Sequence, residues 1–302
     1  MDNVKLYAIV VAYKGRQWYD RCFTSLRQST MPIQTIVVDN ASNDGSVEYI
    51  KEHFPEIHLI ESKENLGFGK GNNLALRYAY EQGCDYVFLL NQDAWVEPDT
   101  FEKLVALSHR HPEFGIIAPV HLSADKQSLG MMMEYQSNHY MYGILSDLYC
   151  GTVKEIYETN YVNAAGWLLP RNTLSTLGGF DPLIFHYGED DDYVNRARYH
   201  GLKIGICLDA RMVHAGFSDE WSKKLSRQAH IDDLELYLDL NRPFDYHSLR
   251  RYYLRKCFMA MLSRNRELMN YSKYKFKYLK RMRHAIEYSR KTNCIKQPNW
   301  IQ

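Results

Sequence analysis

The segment Asp85-Tyr-Val-Phe-Leu-Leu-Asn-Gln-Asp93 constrains this chain more than any other. Tyr86–Leu90 is apolar at nearly every position, which suits a strand buried on both faces of a parallel sheet. Asn91 and Asp93 follow two positions apart, and so lie on one side of an extended segment. In open α/β sheets, ligands bind outside the carboxyl ends of the strands. A carboxylate there can hold a divalent cation through hard oxygen ligands, and the cation can hold a diphosphate. The plainer alternative is a cap for the helix that Pro98 opens, but Asp93 stands about five residues too early for that.

Around this segment, residues 5–13, 33–38, 57–60, 115–120, 162–169 and 202–208 read as further strands. Helices are expected over about 18–28, 46–54 and 99–110, and another is opened by the loop 65–73 and runs to about 80, each between two strands. That alternation predicts an α/β fold with a mostly parallel, helix-covered sheet. Beyond residue 218 the chain reads as helix, so the expected organisation is a nucleotide-binding and catalytic domain over 1–218 and a helical region over 219–302. Residues 123–150 show no clear period, and the sequence places no element there.

Several classes drop out. Six cysteines are scattered without a CxxC pair, which speaks for free thiols in a reducing compartment and against a disulfide framework or a zinc site. No run approaches the roughly 18 apolar residues that span a bilayer, and the start resembles no leader, so a cytoplasmic location is expected. Glycines 67, 69 and 71 form GxGxG where a dinucleotide site needs GxGxxG, and they follow the third strand instead of the first. Glu64 and Gly71 occupy positions that a phosphate-binding P-loop reserves for Gly and for Ser or Thr. Charge is unevenly spread: residues 245–302 hold 15 Lys and Arg against three acids, or +12, and the rest of the chain carries −11. A basic, Tyr-rich tail on an acidic body points to an anionic surface, such as the inner face of a membrane, and not to nucleic acid.

Three further features carry chemistry. Four consecutive acids, Glu189, Asp190, Asp191 and Asp192, exceed what complementing a helix dipole requires and repel one another, as functional clusters do. His214 ends a strand; alone it suits a core or surface position, and beside a metal-binding acid it suits a ligand. Asp39, also at a strand end, can accept from a base or ribose, or close an Asx-turn with Asn43 and Gly45.

The order of these blocks resembles the family 2 glycosyltransferases, inverting GT-A enzymes that build bacterial capsules, O-antigens and cell-wall glycans. The matching residues are Val37-Val-Asp-Asn-Ala-Ser-Asn-Asp-Gly-Ser46, Asn65-Leu-Gly-Phe-Gly-Lys-Gly-Asn-Asn73, Leu89-Leu-Asn-Gln-Asp93, Gly178-Gly-Phe-Asp181, Phe185-His-Tyr-Gly-Glu-Asp-Asp-Asp192 with Arg196, and His214. They span about residues 5–218. The resemblance implies a GT-A fold, a Rossmann-like sheet flanked by helices, with a C-terminal helical extension. It implies a donor site drawn from Tyr13, Asp39, Asn65, Gly67, Asn73, Asn91 and Asp93, and an acceptor site drawn from Trp167, Tyr187, Glu189 and Asp192. Asp190 would be the general base, and Asp93 with His214 would hold Mn²⁺ or Mg²⁺. Asn91 stands where the family's metal motif has its first acid, a departure that leaves one charge fewer on the cation. The donor would be a dTDP- or UDP-sugar, with rhamnose the first expectation. The acceptor would be a glycan or lipid-linked sugar, with peripheral contact at the membrane.

The residues suit that chemistry independently. Inverting transfer needs one base on the acceptor hydroxyl and a cation for the departing diphosphate. A hydrolase would need two carboxylates flanking one bond. A sugar-phosphate nucleotidyltransferase would want a glycine-rich basic loop after the first strand, and Ala12-Tyr-Lys-Gly-Arg16 matches that poorly. A sugar-binding relative without activity would have no need of Asp93, Asp190 and His214 together.

Overall fold

In this computed structural model, which describes residues 4–216 and 220–300, the apolar runs become strands of one sheet. The chain runs β1 (Leu6–Ala12), α1 (Arg16–Arg27), β2 (Gln34–Asp39), α2 (Ser46–His53), β3 (His58–Glu61), α3 (Gly67–Glu81), β4 (Tyr86–Leu90), β5 (Ala94–Val96), α4 (Thr100–Arg110) and β6 (Phe114–Leu122). It continues through α5 (Met131–His139), α6 (Ile144–Cys150), β7 (Ile156–Thr159), β8 (Gly166–Pro170), α7 (Arg171–Leu177), α8 (Glu189–Tyr199) and β9 (Lys203–His214). Four helices follow: α9 (Glu220–Asp232), α10 (Leu234–Leu238), α11 (Tyr246–Leu262) and α12 (Arg266–Asn293).

Among the described residues the sheet has the order β3-β2-β1-β4-β8-β6-β9-β5, with β7 paired on β9. β1 to β4 pair in parallel, as does β6 with β9, while β8 is antiparallel to β4 and β6. The expected mostly parallel GT-A sheet is therefore present, with antiparallel β5, β7 and β8 added. β4 is buried throughout. Phe88 and Leu90 enter the apolar layer under α1 and α4, and Val87 and Leu89 enter the layer under α3 and α8. Burial of each such side chain is worth about 1.5–3 kcal/mol, so a strand sealed on both faces is a fixed platform for the loop after it.

The carboxy-terminal helices build a third apolar cluster around Tyr237, Tyr253, Tyr278, Leu279 and Ile286. That cluster takes in Ile184 from the loop before α8. Asp181 in the same loop accepts from Ser289 and from Asn293 Nδ2 of α12. The Gly179 N–H donates to the Asn299 carbonyl at 3.1 Å. The expected boundary at 218/219 lies outside the described residues. Among those described, no helix is long and apolar enough to cross a membrane.

Candidate active site

β5 follows β4 after three residues and pairs antiparallel with β9, opposing Ala94 to His214. The Ala215 N–H donates to the Asp93 carbonyl at 3.0 Å. This pairing joins chain segments 120 residues apart and places His214 Nε2 3.5 Å from Asp93 Oδ1 and 3.4 Å from Asn91 Nδ2. Asn91 Oδ1 is buried without a hydrogen-bond partner among the described residues. A carboxylate, an imidazole and an acceptor oxygen in need of a donor form a set that fits Mn²⁺ or Mg²⁺. Among the described residues no three His, Cys, Asp or Glu side chains are placed to hold a metal ion, so the third protein donor would be the Asn91 amide oxygen. His121 lies behind His214, rings edge to face at 6.2 Å. Burial pushes its imidazole down to about 3, so it brings no charge to the site.

Gln92, which sequence reasoning passed over, points the other way from its neighbours. Its Oε1 accepts from the Tyr13 N–H at 2.9 Å and its Nε2 donates to the Tyr13 carbonyl at 3.1 Å. Tyr13 is thereby held through its backbone at the mouth of β1. Alternation along an extended segment was the available signal.

The acids enter on a bent lead. Tyr187 (φ 67°) and Gly188 (φ 95°) are both left-handed, a sparsely populated conformation for tyrosine, and they turn the chain into α8. The four carboxylates then divide. Asp192 is buried against Arg196 Nε at 2.8 Å, and Arg196 also donates to the carbonyls of Leu177 and Gly179. It braces the loop, which corrects the expected acceptor contact. Asp190 Oδ2 accepts from the Tyr161 hydroxyl at 2.7 Å, and its Oδ1 accepts from the Asp191 N–H at 3.0 Å. Burial, then the charge of Glu189, pushes Asp190 up to about 6. Asp191 rises to about 8 through burial, then the charges of Asp190 and of Glu235 on α10. Glu189 is buried, with Oε1 3.6 Å from His186 Nδ1. The Ala164 N–H lies beside the Asp190 carboxyl, and the next residue, Ala165, accepts from the Asn91 N–H at 3.0 Å. Asp190 and the corner of Asn91, Asp93 and His214 thus adjoin across two consecutive residues.

At the carboxyl ends of β2 and β3, Asp39 is 2% exposed and lines a cleft of about 500 Å³ with Ser42, Asn43, Gly45 and Glu61. Its Oδ2 accepts from the Ser42 N–H at 3.0 Å, and its Oδ1 has no partner among the described residues. The turn is closed by Ser42 and not by the expected Asn43 or Gly45, and it uses only one oxygen, which leaves the other for a ligand. The glycines beside it serve close approach. Gly67 has φ 78°, and a Cβ there would sit 2.0 Å from the Phe185 carbonyl oxygen. Asn65 Oδ1 accepts from the Gly67 N–H at 2.9 Å. Two expected contacts need correction. Asn73 holds Phe180 through both amide atoms, at 2.9 and 2.7 Å, and is committed to that loop instead of the donor. Trp167 is wholly buried against Phe180 and Tyr193 and offers no surface to an acceptor.

Residues 7–155 match the model of glycosyl transferase family 2. The dTDP-rhamnosyl transferase RfbF of Shigella flexneri is 22% identical over 214 residues, covering 70% of each chain. The N-acetylglucosaminyl-diphospho-decaprenol L-rhamnosyltransferase of Mycobacterium tuberculosis is 24% identical over 69% of this chain and 75% of its own. Among solved structures, S. aureus TarS 1-349 in complex with UDP aligns over 96% of this chain and 88% of its own, at 12% identity and a TM-score of 0.53. The mannosyltransferase PcManGT of Pyrobaculum calidifontis, in complex with GDP-Man and Mn²⁺, covers 96% and 72% at 18% identity and a TM-score of 0.54.

Proposed function

We propose that this chain, a family 2 glycosyltransferase, moves a sugar with inversion from a nucleotide-diphosphate donor to a glycan or lipid-linked acceptor during synthesis of a capsule, O-antigen or cell-wall polysaccharide. The observation that carries this reading is the adjacency of Asp190 to the Asn91, Asp93 and His214 corner across Ala164 and Ala165. Asp190 takes the proton of the acceptor hydroxyl, whose oxygen attacks the anomeric carbon while the nucleoside diphosphate departs from the opposite face. Tyr161 and the N–H groups of Asp191 and Ala164 occupy lone pairs of the Asp190 carboxylate, fixing its plane and leaving a remaining one for the hydroxyl. Asp93, His214 and the Asn91 oxygen would hold a divalent cation, which when bound offsets the charge of the leaving diphosphate. Asp39 contributes its unpartnered oxygen to the nucleotide, in the cleft at β2 and β3.

Two relatives named for rhamnosyl transfer support dTDP-rhamnose as the first donor to try, ahead of UDP-sugars. The +12 tail supports peripheral contact with an anionic membrane, where a lipid-linked acceptor resides. Thermal-shift screening of nucleotide sugars with and without Mn²⁺ tests the donor and the cation together. At a hundredfold excess over Kd, stabilisation of about 2.7 kcal/mol is expected for binding to the folded state alone. Equal donor affinity with and without EDTA would remove the cation from the site. A product of retained anomeric configuration would overturn the single displacement.

A further inference from the structure

α11 is apolar on two opposite faces, and the fold covers one of them. Tyr246, Tyr253 and Ala260, spaced by seven, are buried toward α12 and α10. On the other side Tyr252, Leu254, Phe258, Met259, Met261 and Leu262 stand 51–61% exposed. Arg251 and Arg255 are exposed among them, and Arg264 and Arg266 are exposed where the chain turns into α12. At 100° per residue these positions share one half of the helix surface, and the buried set shares the other. Residues 246–266 contain six Lys and Arg and no acid. A helix apolar all round is normally enclosed, so an outer apolar face studded with arginine calls for a cover that is both oily and anionic.

We infer that the outer face of α11 seats on an anionic lipid surface, with Phe258, Met261 and Leu262 entering the acyl boundary and Arg251, Arg255, Arg264 and Arg266 meeting the headgroups. This sharpens the tail's proposed membrane contact to one helix face and does not depend on the sugar transferred. A second copy is the poorer cover, because a two-fold contact would bring the same arginines face to face. The exposed apolar residues of α5 and α6, among them Leu145, Leu148 and Tyr149, supply the contrast. Residues 131–153 contain no Lys or Arg, so nothing draws that patch to anionic lipid.

The test is co-sedimentation of the full chain at low salt with vesicles of equal phosphatidylglycerol and phosphatidylcholine, or of phosphatidylcholine alone. Binding is expected to the anionic vesicles only. Phe258→Ser with Leu262→Ser should weaken it on the order of a hundredfold. Arg251→Gln with Arg255→Gln should weaken it about fivefold per arginine, and added salt should abolish that difference. Leu145→Ser with Leu148→Ser should bind as wild type does. Nucleoside diphosphate binding, read in parallel, confirms that each variant is folded and keeps this result separate from that of sugar transfer. Should the serine pair fail that control, the arginine pair decides alone. The inference is overturned if the wild type ignores anionic vesicles, or if both α11 variants bind like it. It is equally overturned if the wild type is a dimer that the serine pair dissociates without any vesicle binding.

Discussion

On the proposed mechanism Asp190 and Asp93 should fail differently, because it assigns one to the acceptor and the other to the donor side. Asp190→Asn keeps the shape and removes the proton acceptor, so transfer should fall about 10²–10⁴-fold, or roughly 3–5 kcal/mol. Donor affinity should hold, since that interaction forms only in the transition state. Asp93→Asn should do the reverse: donor binding weakens first and loses its response to EDTA. Transfer assays beside calorimetry separate the two, and full transfer by Asp190→Asn with a dead Asp191→Asn would move the base by one residue. With burial and Glu189 holding Asp190 up at about 6, transfer should also decline as pH falls below that value. The decline belongs to the coupled acid cluster, whose steps a pH–rate profile reports jointly. Asp93 and His214 stood out in the sequence because each lies at the carboxyl end of a strand region, where open sheets present ligands, and the structure brings the two side chains within 3.5 Å. Asn73 and Trp167 did not, since their partners Phe180 and Tyr193 lie 13 or more residues away and sequence does not show what an amide or indole is already holding.

Elements were legible in proportion to their period. β4 announced itself as a five-residue apolar run, and β5, with three residues, carries no pattern at all. Yet β5 is what brings Asp93 to His214, so the join at the heart of the site came from pairing and not from any local signal. The α5 and α6 helices were unreadable for a related reason: most of their apolar residues face solvent and so follow no buried stripe. The spacing of the α3 glycines set them apart from both nucleotide motifs, but their purpose needed the loop they touch. Gly67→Ala tests that purpose. It places a methyl against the Phe185 carbonyl at a positive φ, so either α3 or the 180–189 loop must shift. Strain of this kind costs about 1–3 kcal/mol, and the loop it displaces leads into Glu189 and Asp190. Reduced stability in urea together with reduced transfer is expected. A melt and a rate equal to wild type would show that the loop has room.

At the scale of the whole molecule, the site is assembled at a cost in stability that should appear as a pH dependence. Burial pushes Asp190 and Asp192 up to about 6 and, with help from Asp190 and from Glu235 of α10, Asp191 up to about 8. In the unfolded chain all three titrate near the ordinary carboxylate value. Between those values and 8 the folded protein therefore holds protons that the unfolded chain releases. The slope of stability with pH follows the excess of protons on the unfolded state, which is negative here. These acids contribute their stabilisation in full below about pH 4 and lose it as pH rises through 6 to 8. Asp191 is the member with the largest rise, and the proposed transfer uses its backbone N–H but not its side chain, so the carboxyl can be removed alone. Asp191→Asn should raise the melting temperature at pH 8 by a few degrees, the effect of about 1–2 kcal/mol in a chain of this size. At pH 4 it should change little, since the wild-type carboxyl is then already neutral when folded. A gain of equal size at both pH values would assign the effect to packing, and a loss at pH 8 would mean that the ionised carboxylate has a partner holding α10 to α8.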